Sequence, residues 1–329
     1  MQDDLQFVGI DVDAQHLVCC RLLHGRKRTK TFTNDPEGHS RLLAWLTPAQ
    51  RSTRVCMEAT GVYSYLVAAT LSEQDEIVVS VVNPRVIKSF TAARLQRGKT
   101  DAMDADSILE YLLCMPFESW TPLEAKLIEI QLLSRRVLQL TTETRREKNR
   151  LHAALRMGEV GRYVANDIEV NIRHLKRRTQ VIEQHLVKLI SEVEFLQQRM
   201  DQLISVTGIA EKSGARLLAE LVSLPSDMTS KQWVAYAGLD PRPCESRSLT
   251  KPRRISKQGN RYLRDALYMP ALVAIRYDEH VRAYKEHLVQ AGKKPKQAIT
   301  AVMRKLLVAI WGMFKNEECW DSTKFYKMS

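Results

Sequence analysis

The fold of the N-terminal part of this chain is decided by the stretch FVGIDVDAQHLVCCRLLHGRKRTKTFTN, residues 7–34. Three segments of it have the length and composition of β-strands, and they lie at 7–11, 16–24 and 30–34. The segment GRKR at 25–28 combines glycine with charged residues, and it predicts the turn between the second and third strands.

Beyond this stretch the pattern alternates between helical and strand-like spacing. The segments are a helix at 37–46, a strand at 54–58, a helix at 62–73, a strand at 76–82 and a helix at 101–114. Three strands followed by alternating helices and strands predict an α/β domain with a mixed sheet.

The middle of the chain is predicted to be helical, from Leu123 to about Leu155 and again in a second long run. The apolar residues of the second run are separated by steps of three, four and seven, and they are Leu175, Ile182, Leu186, Leu189, Val193, Leu196 and Met200. Such steps predict a coiled-coil seam, either in an antiparallel hairpin or in a dimer. Two buried helices of a globular bundle are the alternative.

The remainder, from about residue 203, is predicted to be mostly helical. Residues 204–221 read as a helix, a glycine turn and a second helix, which resembles a helix-hairpin-helix. Backbone N–H groups after Gly208 can hold a phosphate there, and an ordinary corner between two helices is the alternative. We therefore predict three regions, at 1–118, 119–202 and 203–329.

The composition limits the kinds of molecule that the protein can bind and the cellular compartment in which we expect it. Lysine and arginine number 50 against 38 acids, a net charge of +12, which attracts nucleic acid, anionic membranes or acidic proteins. There is no run of about 18 apolar residues and no basic, apolar leader, so we expect a cytoplasmic protein without a membrane segment. The six cysteines form no CxxC pair, and we expect reduced thiols, with Cys19 and Cys20 on opposite faces of a strand.

Four carboxylates are candidates for one site. Asp11 and Glu58 end predicted strands, whose carboxyl ends converge at one edge of a sheet. Asp101 and Asp104 are three residues apart in a predicted helix and therefore share a face. Asp106 lies about 200° round the helix from Asp104, and we exclude it from the site.

These carboxylates repel one another unless a cation lies among them, and Mg²⁺ prefers such oxygen ligands. Two Mg²⁺ ions, or Mn²⁺, would bind the attacking and leaving oxygens of a phosphodiester. A purely structural reading is also open, because Thr100 is a good helix N-cap and aspartate in a first turn complements the helix dipole.

Four short motifs resemble those of the DEDD-type transposases of bacterial insertion sequences: GID at 9–11, MEATGVY at 57–63, VVNP at 81–84 and GKTDAMDA at 98–105. The first domain of that family is RuvC-like, so the resemblance implies an RNase H fold. It also implies that Asp11, Glu58, Asp101 and Asp104 are the catalytic Mg²⁺ ligands. One departure is DAQ at 13–15, where many relatives have a lysine nearby, and it touches no ligand position.

A second set of motifs resembles the C-terminal domain of the same family, at 206–221, 233–243, 245–246, 255–271 and 301–307. In that family the serine that follows a glutamate is the nucleophile, which implies this role for Ser246. Arg247 stands where a glycine is usual, so the backbone is less permissive, and Ser248 is the runner-up.

The serine lies in a strongly basic stretch. Between Arg242 and Arg264 there are eight bases and one acid, Glu245, a composition that suits phosphate binding. A solvated basic loop is the alternative. We expect nucleic-acid contacts from five residues of this stretch and of the segment before Asp101: Arg97, Lys99, Arg253, Arg254 and Lys257.

The resemblance implies a DNA transposase of a bacterial insertion sequence that cuts and rejoins DNA through a covalent phosphoserine intermediate. It further implies donor and target DNA, a structured non-coding bridge RNA, and a dimer or tetramer that associates with the nucleoid when acting. Two alternatives remain open. One is a RuvC-like, Mg²⁺-dependent junction nuclease that uses water, and the other is a nucleic-acid-binding scaffold without catalysis.

Overall fold

The computed structural model describes residues 5–46, 52–94, 100–242, 245–246, 249–250 and 254–327. The chain forms two compact units, Met1–Leu123 and Glu124–Ser329. The first unit is α/β, and the second is mostly helical, which confirms the predicted class of each part.

The first unit is built on a five-stranded mixed sheet with the order β3-β2-β1-β4-β5. Its strands are β1 Gln6–Val12, β2 His16–Leu23, β3 Arg26–Thr33, β4 Thr53–Glu58 and β5 Ile77–Val82. The first three strands are antiparallel neighbours, whereas β4 is parallel to β1 and β5 is parallel to β4. This topology is consistent with a RuvC-like domain.

The turn between β2 and β3 is shorter than predicted. His24 and Gly25 have φ angles of 48° and 71°, and Leu23 pairs directly with Arg26. Two central residues with positive φ make the tight hairpin turn that matches strand twist. The prediction that 26–28 belong to the turn was therefore wrong, because Arg26 already begins β3.

Two pairs of helices cover the two faces of the sheet. Helices α1 Pro36–Leu46 and α2 Val62–Ser72 pack on one face, where Ile10 and Met57 are buried. Helices α3 Pro84–Ala93 and α4 Asp101–Cys114 pack on the other face. Helix α3 was not predicted, although it begins with a typical start signal, an N-cap at Asn83 followed by Pro84.

Cys19 packs with the α1–α2 face and Cys20 with α4, as their adjacency in a strand predicts. The described cysteines are all free thiols: Cys19, Cys20, Cys56, Cys114 and Cys319. Burial raises the pKa of Cys19, and it raises the pKa of Cys56 to about 12, so these thiols stay protonated at neutral pH.

The second unit begins with two long antiparallel helices, α5 Ala125–Leu155 and α6 Arg162–Ser191, joined through a 3₁₀ turn at Gly158–Gly161. An ion pair of Lys126 with Glu192 and a contact of His185 with Glu129 join the open end of this hairpin. The buried positions of α6 recur in steps of three and four, at Ala165, Ile168 and Ile172, and again at Leu186 and Leu189. The two helices therefore pack on each other within one chain.

The predicted run of apolar residues is not one helix. Helix α6 ends at Ser191, and Val193 has the extended angles φ −122° and ψ 110°. A new helix, α7, then runs over Glu194–Ser205. The expected continuity from Leu175 to Met200 was wrong, because the chain turns at 192–193 and redirects its apolar face into the core of the second unit.

The remaining helices are α8 Glu211–Leu221, α9 Ser230–Tyr236, α10 Arg261–Tyr277, α11 Glu279–Gln290, α12 Pro295–Asn316 and α13 Ser322–Phe325. One apolar core joins them to α7 and to the open end of the α5–α6 hairpin. The separation of 119–202 as a region of its own stays a prediction.

Helix α12 is long and apolar enough to cross a membrane, with a mean hydropathy of 1.3 over its most apolar window. Its apolar side is instead the centre of the second unit, where Val302, Leu306 and Leu307 are fully buried. A core helix of a globular protein accounts for its composition.

Gly208, in the turn between α7 and α8, has φ +99°. A Cβ atom at this position would lie 2.7 Å from the carbonyl oxygen of Pro270, in the middle of α10. The glycine therefore allows the turn to approach the backbone of α10, which is a packing role.

Candidate active site

Three of the four predicted carboxylates converge in the first unit. Asp11 lies near the end of β1, and Asp101 and Asp104 lie in the first turn of α4. One carboxylate oxygen of each lies within 4.8 Å of those of the other two. Asp11 and Asp104 are half-buried and Asp101 is exposed, so the cluster opens to solvent on one side.

Thr100 begins α4 and sets the direction of its first turn. Its side-chain oxygen accepts a hydrogen bond from the N–H of Met103 at 3.3 Å, and its carbonyl accepts one from Asp104 at 2.9 Å. The capping role expected of Thr100 is therefore confirmed. It does not exclude a metal site, because the same cap holds the two aspartates beside β1.

Gly9 brings α4 close to the strand that carries Asp11. A Cβ atom at Gly9 would lie 2.3 Å from the N atom of Leu109 and 2.4 Å from the carbonyl oxygen of Ala105. Since Gly9 and Asp11 are two residues apart, they face the same side of the sheet. This role of Gly9 was not predicted, although an isolated glycine inside a strand often marks a close backbone approach.

Glu58 is the last residue of β4 and lies beside Asp11 at the same edge of the sheet. The parallel register pairs Ile10 with Met57, one position before each of the two acids. Alternation along β4 places Glu58 on the face of Cys56, which packs against α3 and α4. The 4.8 Å cluster, however, includes only the three aspartates among the described residues.

Asp106 points away from the cluster, as predicted. Its carboxylate forms an ion pair of 2.5 Å with Lys27 of β3, and the same lysine contacts Glu110 at 3.1 Å. This acid joins α4 to the antiparallel edge of the sheet.

The three aspartates form a suitable donor set for a hard divalent cation. All three offer carboxylate oxygens, which Mg²⁺ prefers, and ligands of one such ion lie about 4 Å apart at most. The carboxylate oxygens of the cluster lie within 4.8 Å of one another, so small side-chain rotations would bring all three into contact with one ion. The helix N-terminus adds a partial positive charge that favours carboxylates there.

The predicted nucleophile lies near the tip of a β-hairpin in the second unit. Two short ladders are nested: Pro241 and Arg242 of β6 pair with Arg254 and Ile255 of β9, and inside them β7 Glu245–Ser246 pairs with β8 Leu249–Thr250. Ser246 is opposite Leu249 in this register. Arg247 and Ser248 lie outside the described residues.

The base of this hairpin is held by a series of hydrogen bonds. The N–H of Asn260 donates to the carbonyl of Tyr236 at 2.7 Å, and the Ser256 hydroxyl donates to Asp240 at 2.5 Å. The guanidinium of Arg264 donates to the carbonyl of Ala237 at 2.8 Å. Arg264 therefore stabilises the base of the hairpin.

Few of the predicted nucleic-acid contacts can be placed. Arg97, Lys99 and Arg253 lie outside the described residues, and only the backbone of Arg254 is described. Lys257 is exposed, with φ +52°, and its N–H donates to the carbonyl of Gly238. On α3, the exposed Arg85 and Lys88 form part of the basic segment that precedes the acidic cluster.

Comparison with known families gives two matches in chain order. A DEDD transposase model of the IS110 type matches residues 8–157, which include the four carboxylates. A model described as the transposase IS116/IS110/IS902 family matches residues 200–286, which include Ser246. Together they account for more than two thirds of the chain.

Individual relatives agree with these matches. The pilin gene-inverting proteins of Moraxella bovis and Moraxella lacunata are each 29% identical over 322 residues, 96% of this chain and 97% of theirs. A protein of the insertion element IS110 from Streptomyces coelicolor is 25% identical over 120 residues, 36% of this chain and 30% of that protein. The chain therefore belongs to the IS110 family of DEDD transposases.

Proposed function

We propose that this transposase cuts and rejoins DNA by attack of Ser246 on a phosphodiester, assisted by Mg²⁺ at Asp11, Asp101 and Asp104, with Glu58 as a fourth ligand. The convergence of three carboxylates from β1 and α4 carries the metal part of the proposal. The position of Ser246 in the hairpin, together with the family resemblance, supports the nucleophile.

The chemical step conserves the number of phosphate ester bonds. The Ser246 oxygen forms a new bond to phosphorus, one ester oxygen of the DNA leaves as a hydroxyl, and the serine proton passes to the leaving group. A hydroxyl of the partner strand then attacks the phosphoserine, and the serine is released. The bound Mg²⁺ would supply Lewis-acid stabilisation of the attacking and leaving oxygens.

The names of two relatives favour a reaction that rejoins DNA strands over one that hydrolyses them. Two relatives that align along nearly the whole chain are named for inverting a gene. An inverted segment must be cut and joined again, and a covalent ester preserves the bond energy for the second step. A nuclease that uses water would leave free ends that need another source of energy.

We further propose that a structured bridge RNA guides the reaction by pairing with donor and target DNA, and that the protein acts as a dimer or tetramer in the bacterial cytoplasm, at the nucleoid. Guidance by RNA rests on the family resemblance. The excess of 12 positive charges supports binding of a polyanion. Sequence choice would then belong to the RNA, and protein contacts would mostly be to the backbone.

The decisive experiment looks for a denaturant-resistant protein–DNA adduct after incubation with Mg²⁺, DNA spanning the element end, and RNA transcribed from its flank. We expect an adduct with the wild type and with Ser248→Ala, and none with Ser246→Ala or Asp11→Asn. An adduct that survives in Ser246→Ala would overturn the choice of nucleophile.

The same experiment separates the alternatives. Cleavage without an adduct, lost in Asp11→Asn, would establish a nuclease that uses water. Binding of nucleic acid that is unaffected by Mg²⁺ and by Asp11→Asn, with no cleavage, would establish a scaffold.

A further inference from the structure

The side chain of Asn34 connects the two segments that follow β1 and β4, at the edge of the sheet where Asp11 and Glu58 lie. Asn34 follows the last residue of β3, and its Nδ2 atom donates to the carbonyl oxygen of Asp13 at 2.8 Å and to that of Tyr63 at 3.1 Å. Asp13 lies two residues after Asp11, and Tyr63 lies five residues after Glu58. One amide group therefore uses both of its hydrogens to join the exits of β1 and β4.

His39 fixes the orientation of this amide. Its Nε2 atom lies 2.9 Å from Oδ1 of Asn34, and the ring is 5% exposed. Because Oδ1 can only accept, His39 donates, and the NH₂ group of Asn34 must face the two carbonyls.

The backbone around His39 is fixed as well. The N–H of His39 donates to the carbonyl of Asp35 at 2.9 Å, and the N–H of Gly38 donates to the Asp35 carboxylate at 2.7 Å. A Cβ atom at Gly38 would lie 1.9 Å from the carbonyl oxygen of Thr33, so the start of α1 lies directly against the end of β3. The backbone that carries Asn34 and His39 is therefore held by these contacts between β3 and α1.

The segment from Glu58 to Tyr63 is anchored at both ends. The N–H of Ala59 donates to the carbonyl of Val82, and Gly61 then turns the chain with φ +71° before α2 begins at Val62. Asn34 joins the first turn of α2 to the loop that follows Asp11. Glu58, at the end of β4, lies outside the 4.8 Å group of the three aspartates.

We propose that Asn34 is a positioning residue that sets Glu58 relative to Asp11 and so completes the metal site. The proposal rests on the proposed metal site, and it assigns a role to a residue outside the four carboxylates. Residues that orient metal ligands from outside the ligand set typically change metal affinity by about 10–100-fold when they are replaced.

The same unit offers a matched control at the opposite end of the same strands. Gln6, at the start of β1, donates from Nε2 to the carbonyl of Leu46 at 3.1 Å and to the hydroxyl of Thr53 at 3.2 Å. It too is an amide that joins β1 to β4 and α1, but it lies remote from the carboxylates. Loss of Gln6 perturbs the same sheet without reaching the proposed site.

The test compares Mn²⁺ affinity, measured by electron paramagnetic resonance or calorimetry, in full-length wild type, Asn34→Ala, Asn34→Leu and Gln6→Leu. We expect affinity about 10-fold or more weaker in both Asn34 variants and unchanged in Gln6→Leu. Asn34→Leu keeps the approximate size of the side chain and adds no charge but loses its two donated hydrogen bonds, so it remains informative if Asn34→Ala does not fold.

A second set of variants tests whether Asn34 acts through Glu58. In a Glu58→Gln background, replacing Asn34 should no longer change Mn²⁺ affinity. An equal loss in both backgrounds, an equal loss in Gln6→Leu, or wild-type affinity in both Asn34 variants would overturn the role of Asn34. Absence of Mn²⁺ binding in the wild type would instead remove the metal site, and this proposal with it.

Discussion

At the residue scale, one glycine decides whether the carboxylates meet. Gly9 lies on the face of β1 that α4 covers, and the backbone of Ala105 and Leu109 occupies the space where a side chain would begin. Asp101 and Asp104 are carried by the same helix. The distance between Asp11 and the two helix aspartates therefore depends on the missing Cβ of Gly9.

We expect Gly9→Ala to move α4 away from β1, because the new methyl group would lie 2.3 Å from the N atom of Leu109. Overpacking of this kind costs about 1–3 kcal/mol of stability. Urea unfolding should show that loss, and Mn²⁺ titration should show weaker binding. Gly312→Ala is the control: Gly312 is helical with open space around it, so this change should leave stability equal or slightly higher. Equal Mn²⁺ binding by Gly9→Ala and wild type would contradict the argument.

His39 gives a second prediction, in the pH dependence of stability. Burial lowers the pKa of His39 below its ordinary value near 6.5, and the nearby charge of Asp35 only partly opposes this. The folded state thus binds the proton less tightly than the unfolded state does. The contribution of neutral His39 to the stability of the fold is therefore complete above about pH 6.5, and it is lost as the pH falls towards the lowered pKa.

Thermal unfolding of wild type and His39→Gln between pH 8 and pH 5 checks this sign. We expect the wild type to lose more stability than the variant below about pH 6.5. Parallel curves for the two proteins would show that His39 does not carry the effect.

Sequence reasoning worked unevenly at this scale. Asp11, Asp101 and Asp104 could be expected to converge because acids at a strand end and in a first helical turn carry a local signal, whereas Glu58 lies outside their 4.8 Å group, and the metal-binding role of all four stays a prediction. Asn34 could not be identified in this way, since its two carbonyl partners are set by backbone positions 21 and 29 residues away. Local pattern gives no information about such contacts.

At the scale of elements, an ion pair with a buried carboxylate joins the hairpin of α5 and α6 to the segment that carries Ser246. Glu220 of α8 is 1% exposed and accepts two hydrogen bonds from Arg135 of α5, at 3.0 and 3.1 Å. Asn260 donates to the same carboxylate at 2.6 Å, and its own Oδ1 caps α10. The hairpin bearing Ser246 therefore ends at a residue fixed to two other helices.

Replacing Glu220 with alanine should destabilise the second unit by about 1–3 kcal/mol, because it removes the buried acceptor of the hydrogen bonds from Arg135 and Asn260. The exposed pair of Lys126 with Glu192 is the comparison, and Glu192→Ala should have little effect on unfolding. Urea denaturation followed by tryptophan fluorescence measures both. Similar small losses for the two variants would show that the buried network does not hold the unit together.

The boundaries of elements followed the sequence where local signals were strong. Helix α4 was predicted to the residue, because Thr100 caps it and its apolar spacing is regular. The start of β3 was predicted wrongly because its first residues are charged, which is typical of a turn. The break at 192–193 was not predicted because the apolar repeat continues through it. Pairing with β2 determines where β3 begins, and packing into the core of the second unit determines where α6 ends.

At the scale of the whole molecule, the two compact units should unfold as separate transitions, because each has its own core. Three buried thiols report on the first unit alone: Cys19, Cys20 and Cys56. In native protein we expect alkylating reagent to modify the exposed Cys114 and Cys319 and to spare these three. Labelling along a urea gradient, read by mass spectrometry, should give a midpoint for the first unit that is distinct from the fluorescence midpoint of the second, measured in a variant whose first-unit tryptophans, Trp45 and Trp120, are replaced by phenylalanine. Coincident midpoints would indicate a single cooperative molecule.

The proposed chemistry needs the carboxylates and Ser246 at one phosphate, although they belong to different units and different parts of the sequence. In an oligomer, the metal site of one protomer can serve the serine of another. Asp11→Asn lacks the metal site but keeps the serine, and Ser246→Ala has the reverse defect. Each should form no adduct alone.

If the site is shared between protomers, co-assembly of Asp11→Asn with Ser246→Ala should restore the protein–DNA adduct. The adduct should form on the Asp11→Asn chain only, because that chain carries the serine, and a size tag on one chain identifies it in a denaturing gel. The matched control mixes Asp11→Asn with Glu58→Gln, which damage the same half of the site and should not complement each other. Failure of the first mixture, with co-assembly verified, would place both halves of the site in one chain.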